Sequence, residues 1–292
     1  MKSNLFLFTG FGFLGLNLAK YFKYKNFNVS LIGKKKKYPF NIKFKTKHIN
    51  LIYSDIFNLK KINTLEIENS IIVLTTLNYN NKGFFVKFKR FINLLVKKKP
   101  RKIILISSVG VYGNYSSNRL DILNQYSKNC ILAENICKKK FKNIFVLRVG
   151  NLFGILRPKP GIIEKISMQF LKIKCYKFYK VDTIRSYLPI NELSTVIEKI
   201  ISKNKNSQTC NLTNNNFIFS TQDVLNLFCK YYKKKTFLLR NNKESDIKFS
   251  SIKNSNYLQK LRYKKHKNFR YEIFKIENFL KNYLIKKKIY YI

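Results

Sequence analysis

The chain has 292 residues, 45% of them hydrophobic, enough to bury the core of one large domain or of two unequal ones. It carries 59 Lys and Arg against 14 Asp and Glu, a net charge of +45. The lysine runs at 34–37, 97–99, 138–140, 233–235 and 286–288 are spread along the whole length, and Gly, Pro and Trp are scarce, so the charge reads as compositional bias and nucleic-acid binding is disfavoured as the main function.

Lys2 followed by an apolar stretch over 5–19 has the look of a secretory signal. That stretch, however, holds regularly spaced glycines and runs into a helical pattern at Leu14, Leu18, Tyr21 and Phe22, so a strand over 5–9 and a helix over 14–25 are expected instead. Strands follow over 28–32 and 70–75, a helix over 84–98, a strand over 102–107, a helix over 126–140 and a strand over 144–149. Strands alternating with helices of this length imply parallel βαβ units. After Gly154 the pattern changes: Pro158, Pro160 and Gly161 mark a loop, and helices are expected over 162–171, 191–202 and Thr221–Tyr232, the last capped by Ser220 or Thr221. No repeat, disordered tail or membrane-spanning run is read. Five cysteines (Cys130, Cys137, Cys175, Cys210 and Cys229) form no Cys-x-x-Cys pair, and His48 and His266 have no ligand spacing. Neither a metal site nor a disulfide framework is therefore expected, and reduced thiols in a cytoplasmic protein are.

Gly10-Phe11-Gly12-Phe13-Leu14-Gly15 contains Gly-x-Gly-x-x-Gly between the first strand and the first helix. Gly10 suits the tight turn, Gly12 lets backbone approach a pyrophosphate, and Gly15 lets helix and strand pack closely. A dinucleotide would meet the free N–H groups of Phe11, Phe13 and Leu14 and the positive end of the helix. NAD-selective sites place an acid at the end of the second strand; here Gly33 stands there, followed by Lys34, whose cation suits a 2′-phosphate, so the cofactor is NADP or NAD with NADP favoured.

With these residues in view, the sequence resembles the extended short-chain dehydrogenase/reductases, the NAD-dependent epimerase/dehydratase family that modifies nucleotide sugars. The glycine loop matches the family's cofactor loop, and Ser54-Asp55-Ile56 resembles the segment whose Asp lies near the adenine. Thr75-Thr76 falls where the family has small residues beside the cofactor. Ser107-Ser108-Val109-Gly110-Val111-Tyr112-Gly113 resembles Ser-Ser-x-x-Val-Tyr-Gly, which makes Ser108 the catalytic serine by resemblance. Tyr126 and the trailing Ala133-Glu134 resemble the Tyr-x-x-x-Lys helix, with Tyr126 as acid/base and as a contact to the cofactor. Asn151, in Arg148-Val149-Gly150-Asn151-Leu152-Phe153-Gly154, and Arg185, in Arg185-Ser186-Tyr187-Leu188-Pro189, fall on substrate-binding segments.

The resemblance implies an α/β fold: a doubly wound parallel Rossmann sheet over 1–154, regained over 184–202, with a smaller C-terminal α/β substrate region over 155–183 and 203–292. It implies hydride transfer at a carbon of a nucleotide sugar, with no membrane partner, with a homodimer among the compatible assemblies, and with a product used in surface polysaccharide synthesis. Epimerisation, dehydration and net reduction are all compatible outcomes, and epimerisation ranks ahead of dehydration, because Asp121 is the lone acid near the serine segment. The departure is Cys130, where the family has lysine. A free tyrosine ionises near pH 10, so only about 0.1% is phenolate at pH 7, and a cysteine supplies no cation to change that. Lys128 is two residues from Tyr126 and points elsewhere on a regular helix. The alternatives are therefore a catalytically impaired, cofactor-binding relative with a structural or regulatory role and, third, charge-driven RNA binding.

Overall fold

The structure is a computed structural model that describes residues 4–34, 37, 42–43, 49–75, 83–113, 120, 124–178, 182–203, 207–233, 255–261, 263 and 266–291. His48, Thr76, Asp121 and lysines 35 and 36 lie outside the described residues.

In chain order the elements are β1 (Asn4–Phe8), α1 (Phe13–Tyr24), β2 (Asn28–Gly33), β3 (Ile42–Lys43), β4 (Ile49–Tyr53), α2 (Leu59–Asn63), β5 (Ile71–Leu74), α3 (Phe84–Lys97) and β6 (Lys102–Ser108). A 3-10 turn over Val109–Tyr112 leads toward α4 (Gln125–Lys140), β7 (Ile144–Val149), β8 (Asn151–Phe153) and α5 (Ile162–Phe170). Then come β9 (Arg185–Pro189), α6 (Ile190–Ile201), β10 (Gln208–Leu212), β11 (Ile218–Phe219), α7 (Thr221–Tyr232), α8 (Asn256–Lys260), α9 (Phe269–Leu280) and β12 (Tyr290–Tyr291).

Seven strands form one parallel sheet in the order β10-β7-β6-β5-β1-β2-β4. Its central strands are near-continuous apolar runs, such as Ile71–Leu74, because helices cover both faces. One apolar layer joins α1, α6 and the C-terminal helices to the sheet. The other, built on Phe84, Phe88, Phe91, Ile92 and Leu95 of α3 with Cys130, Ala133 and Cys137 of α4, covers the opposite face. The chain leaves β1 toward β2 and β4 and returns through β5 on the other side. The crevice at the carboxyl ends of β1 and β5 is therefore the switch point where such sheets take ligands.

Two segments beyond residue 154 return to this body. Helix α6 packs on α1, within the expected return over 184–202. Strand β10 adds to the sheet edge beside β7, although the sequence pattern groups all of 203–292 with the substrate region. A separate sheet has the order β11-β9-β8, and residues of β8 and β9 share a cleft with the carboxyl ends of β1, β5 and β6.

Candidate active site

The glycine turn is built from backbone. Gly10 has φ +65, a left-handed conformation that favours glycine, and its N–H is held by the Ile32 carbonyl at 2.9 Å. A Cβ on Gly15 would stand 2.0 Å from the Gly10 oxygen. Gly12 precedes α1 with no side-chain cap and no acid in the first turn, which leaves the helix's first N–H groups facing the crevice entrance. Gly33 proves to be steric as well: a Cβ there would stand 2.3 Å from Gly10 Cα.

At the end of this loop Phe11 stacks on Tyr53, ring centroids 4.9 Å apart. Lys34 Nζ lies 2.7 Å from Asp55 Oδ2. Burial works against ionisation of Asp55, but the Lys34 bond and the Phe57 N–H together hold its carboxyl below the usual carboxylate range. Ile56 is buried in the core beside it.

Strand β6 ends in two serines that point differently. Ser107 Oγ donates to Glu134 Oε1 at 2.7 Å, while Ser108 Oγ accepts from the Gly110 N–H at 3.0 Å. Glu134 is buried in a two-pronged grip by Arg148, with Nε at 3.0 Å and the second nitrogen at 2.6 Å. Arg148 also donates to Tyr112 Oη at 2.7 Å, and Tyr112 donates to Asn211 Oδ1 at 2.7 Å. Arg148 is thus a structural cation.

Helix α4 begins at Gln125, where the Asn124 side chain accepts the Ser127 N–H at 2.9 Å. This early start puts Lys128 in solvent and places Tyr126, Cys130 and Glu134 on one face. Tyr126 is 38% exposed and lines the cleft with Ser108, with Cys130 one helical turn further along α4. Burial of the hydroxyl, followed by the neighbouring Cys130, pushes its pKa well above the usual tyrosine value and makes it a weaker acid. Burial likewise pushes the Cys130 thiol up to about 12.

These parts meet in one cleft of about 720 Å³, lined by Gly10, Gly12, Phe13, Leu14, Thr75, Ser108, Tyr126, Asn151 and Arg185. The cleft does not reach Lys34, Asp55 or Ile56, which lie beyond the Phe11 end of the loop. Arg185 donates to the Thr183 carbonyl at 3.4 Å and to Thr221 Oγ1 at 3.3 Å. Thr75 Oγ1 is buried with no hydrogen-bond partner among the described residues. An orphaned hydroxyl, an uncapped helix and a glycine cradle in one crevice are the features a dinucleotide would satisfy.

Sequence reasoning missed Arg157 and Glu164. The Arg157 guanidinium lies 5.0 Å from the Phe13 ring centroid, donates to the Leu152 carbonyl and stands 3.8 Å from Glu164. Glu164 accepts the N–H of Gly154 at 3.0 Å and of Gly161 at 2.9 Å, tying the loop over 154–161 across the cleft mouth. The spacing of Gly161 and Glu164 at the start of α5 is the signal that could have found this tie.

No family model matches the chain. A curated relative, GDP-6-deoxy-D-talose 4-dehydrogenase of Aggregatibacter actinomycetemcomitans, is 24% identical over 137 residues, 44% of this chain and 46% of the relative, so the match spans about half the relative's length. Among solved structures, UDP-glucose 4-epimerase of Thermotoga maritima with UDP-glucose superimposes with a TM-score of 0.80 at 11% identity, covering 96% of this chain and 99% of that one. The dTDP-glucose 4,6-dehydratase of Bacillus anthracis in complex with NAD gives 0.77 at 14% identity, covering 96% and 97%. The structural neighbours are NAD-dependent nucleotide-sugar epimerases and dehydratases, and the chain has their Rossmann-like fold.

Proposed function

We propose that the chain is an extended short-chain dehydrogenase/reductase that acts on a nucleotide sugar as an NAD(P)-dependent epimerase or dehydratase. The carrying observation is the single cleft that joins the glycine loop to Ser108, Tyr126, Asn151 and Arg185. In this reading the cofactor pyrophosphate rests on the first N–H groups of α1, and Thr75 Oγ1 finds its partner on the bound dinucleotide. The cofactor supplies hydride exchange at the sugar carbon. Ser108 and Tyr126 hold the sugar oxygen at that carbon, Tyr126 exchanging the proton, and Asn151 and Arg185 hold the nucleotide diphosphate end. Residues 1–154 with α6 and β10 form the cofactor body, and the rest the substrate region. Surface polysaccharide synthesis in the cytoplasm is the setting in which such a product is used.

Lys34 favours NADP over NAD. Its ammonium is largely exposed on its Asp55 tether, and Gly33 leaves no room for the acid that would select NAD. Fluorescence titration with NADPH and NADH, followed by assays with UDP-, dTDP- and GDP-sugars, tests the proposal. Cofactor binding with no turnover across the panel would sink it. That outcome would favour the second reading, a cofactor-binding protein with impaired turnover, which the raised pKa of the buried Tyr126 beside Cys130 supports.

A further inference from the structure

The loop between β8 and α5 brings a cation to the positive end of a helix. The Arg157 guanidinium lies 5.0 Å from the ring centroid of Phe13, the first residue of α1. The amino end of a helix carries partial positive charge and unsatisfied N–H groups, so a cation beside it is repelled unless an anion joins them. Helix α1 supplies no such anion: its first turn holds no acid, and Gly12 at its N-cap brings no side chain. Glu164 offsets the charge only in part. Its two oxygens accept the N–H groups of Gly154 and Gly161, and it stands 3.8 Å from the Arg157 nitrogen, beyond hydrogen-bond length.

The guanidinium is nevertheless held in place. Leu156, fully buried, takes φ +63, a left-handed backbone that is uncommon for leucine. Arg157 Nε donates to the Lys159 carbonyl at 3.2 Å, and Nη1 donates to the Leu152 carbonyl. Gly161 leaves the room, since a Cβ there would stand 2.9 Å from Arg157 Cζ. The second terminal nitrogen, Nη2, makes no hydrogen bond among the described residues, and Arg157 lines the cleft with Gly10, Gly12 and Phe13. Two further groups on that cleft await a polar ligand. Thr75 Oγ1, and Tyr187 Oη on a residue 3% exposed, are buried with no partner within hydrogen-bond distance among the described residues.

We propose that Arg157 is a cofactor-binding residue, gripping the diphosphate of a nicotinamide dinucleotide between its guanidinium and the first N–H groups of α1. This rests on the reading of the glycine loop as the dinucleotide site. A diphosphate there neutralises the helix end and the guanidinium together, and Nη2 gains a charge-assisted partner. The planar fork can meet two phosphate oxygens at once, which an ammonium cannot. Phe13 decides which diphosphate Arg157 meets. It opens α1 directly after Gly12, so the ligand beside it is the one seated on the glycine turn. Arg185, bonded instead to Thr221 of α7, is left for the nucleotide sugar.

Titration of the intact chain with NADPH and NADH by fluorescence, and with UDP, dTDP and GDP by calorimetry, at 50 and 200 mM salt, tests the assignment. Arg157→Met should bind both dinucleotides about 10- to 100-fold more weakly than the parent, the range for a lost hydrogen bond between charged groups. The loss should be larger at 50 mM salt, where charges are less screened. Affinity for whichever nucleoside diphosphate binds the parent should stay within about twofold, since Arg157 makes no contact with it in this assignment. Arg157→Lys, which keeps the charge without the fork, should fall between. If the single variant does not fold, Arg157→Met with Glu164→Gln removes the cation and the neighbouring carboxylate together and carries the same expectation. Unchanged dinucleotide affinity in Arg157→Met overturns the assignment. So does an equal loss for dinucleotide and nucleoside diphosphate, the mark of a disturbed loop, and so does a loss confined to the nucleoside diphosphate. A parent chain that binds neither dinucleotide sinks the reading of the glycine loop and this assignment with it. A parent that binds them while Arg157→Met binds them equally well sinks this assignment alone.

Discussion

At residue scale the tightest constraint is the packing of three glycines against one another. Gly15 faces the Gly10 oxygen at 2.0 Å and Gly33 faces Gly10 Cα at 2.3 Å, both measured from the Cβ that an alanine would add. The obstructing atoms are backbone, so neither position can relax by turning a side chain. Gly15→Ala and Gly33→Ala should each destabilise the fold by about 1–3 kcal/mol in urea unfolding and loosen dinucleotide binding in a fluorescence titration. The same contact means that grafting Asp at position 33 to select NAD should fail sterically. Tyr126 gives a second prediction at this scale. Its pKa in the folded protein is raised by burial and then by Cys130, so its neutral form is favoured. The stability this contributes is present below the ordinary value near 10 and is lost as pH rises through the folded value. A tyrosinate absorbance titration, with Tyr126→Phe as reference, should therefore place Tyr126 ionisation above pH 10. Cys130→Lys, by adding a cation, should bring it down.

At the scale of elements, α4 is locked to the sheet by Glu134 and Arg148. Ser107 and Arg148 are paired across β6 and β7, so the guanidinium reaches Glu134 beside the serine that it also holds. Glu134→Ala strands a buried guanidinium and should cost about 3–5 kcal/mol. Adding Arg148→Met should return much of this, a difference that urea unfolding of the single and double variants would measure. This pair also shows what the sequence could and could not tell. Helix α4, the apolar strands β1, β5, β6 and β7, and helices α6 and α7 were legible because each carries a long enough period or run; Thr221–Tyr232 matches to the residue. Strands β8 and β11, of 3 and 2 residues, are too short to carry a period, β9 (Arg-Ser-Tyr-Leu-Pro) has no apolar run, and their register comes from pairing partners distant in sequence. In the site, the glycines, Ser108, Tyr126, Asn151 and Arg185 were legible as motif positions. Arg157 was not, because it is placed by Glu164 and the Phe13 ring rather than by its neighbours in sequence. The Cys130 environment was half legible: the missing lysine could be read, but not that the thiol in its place is fully buried in the apolar layer of α3 and α4.

At the scale of the whole molecule, a charge of +45 and a specific cleft make different demands on salt. A purely electrostatic association with RNA through six to ten phosphates should weaken about 10³- to 10⁵-fold between 50 and 200 mM salt. A dinucleotide seated on the N–H groups of α1 has fewer phosphates to neutralise and part of its surface in an enclosed cleft, so its affinity should fall far less over the same range. The cleft draws lining residues from the parallel-sheet body, from β8 and β9, and from the start of α5, so occupying it ties these parts together. Ligand binding should then stabilise the molecule as a unit rather than one part of it. At a concentration one hundred times its dissociation constant, a nicotinamide dinucleotide adds about 2.7 kcal/mol, which for a chain of this size is roughly 5–10 °C in melting temperature. The experiment is a melting series at 50 and 200 mM salt with NADPH, with NADH, and with each dinucleotide plus UDP-, dTDP- or GDP-sugars. A single cooperative transition should shift upward with the dinucleotide at both salts. If the proposed function holds, it should shift again with the nucleotide sugar whose base fits the cleft lined by Asn151 and Arg185. Two separate transitions, or a shift that disappears at 200 mM salt, would show that ligand contact is superficial and that the cleft is not the binding site.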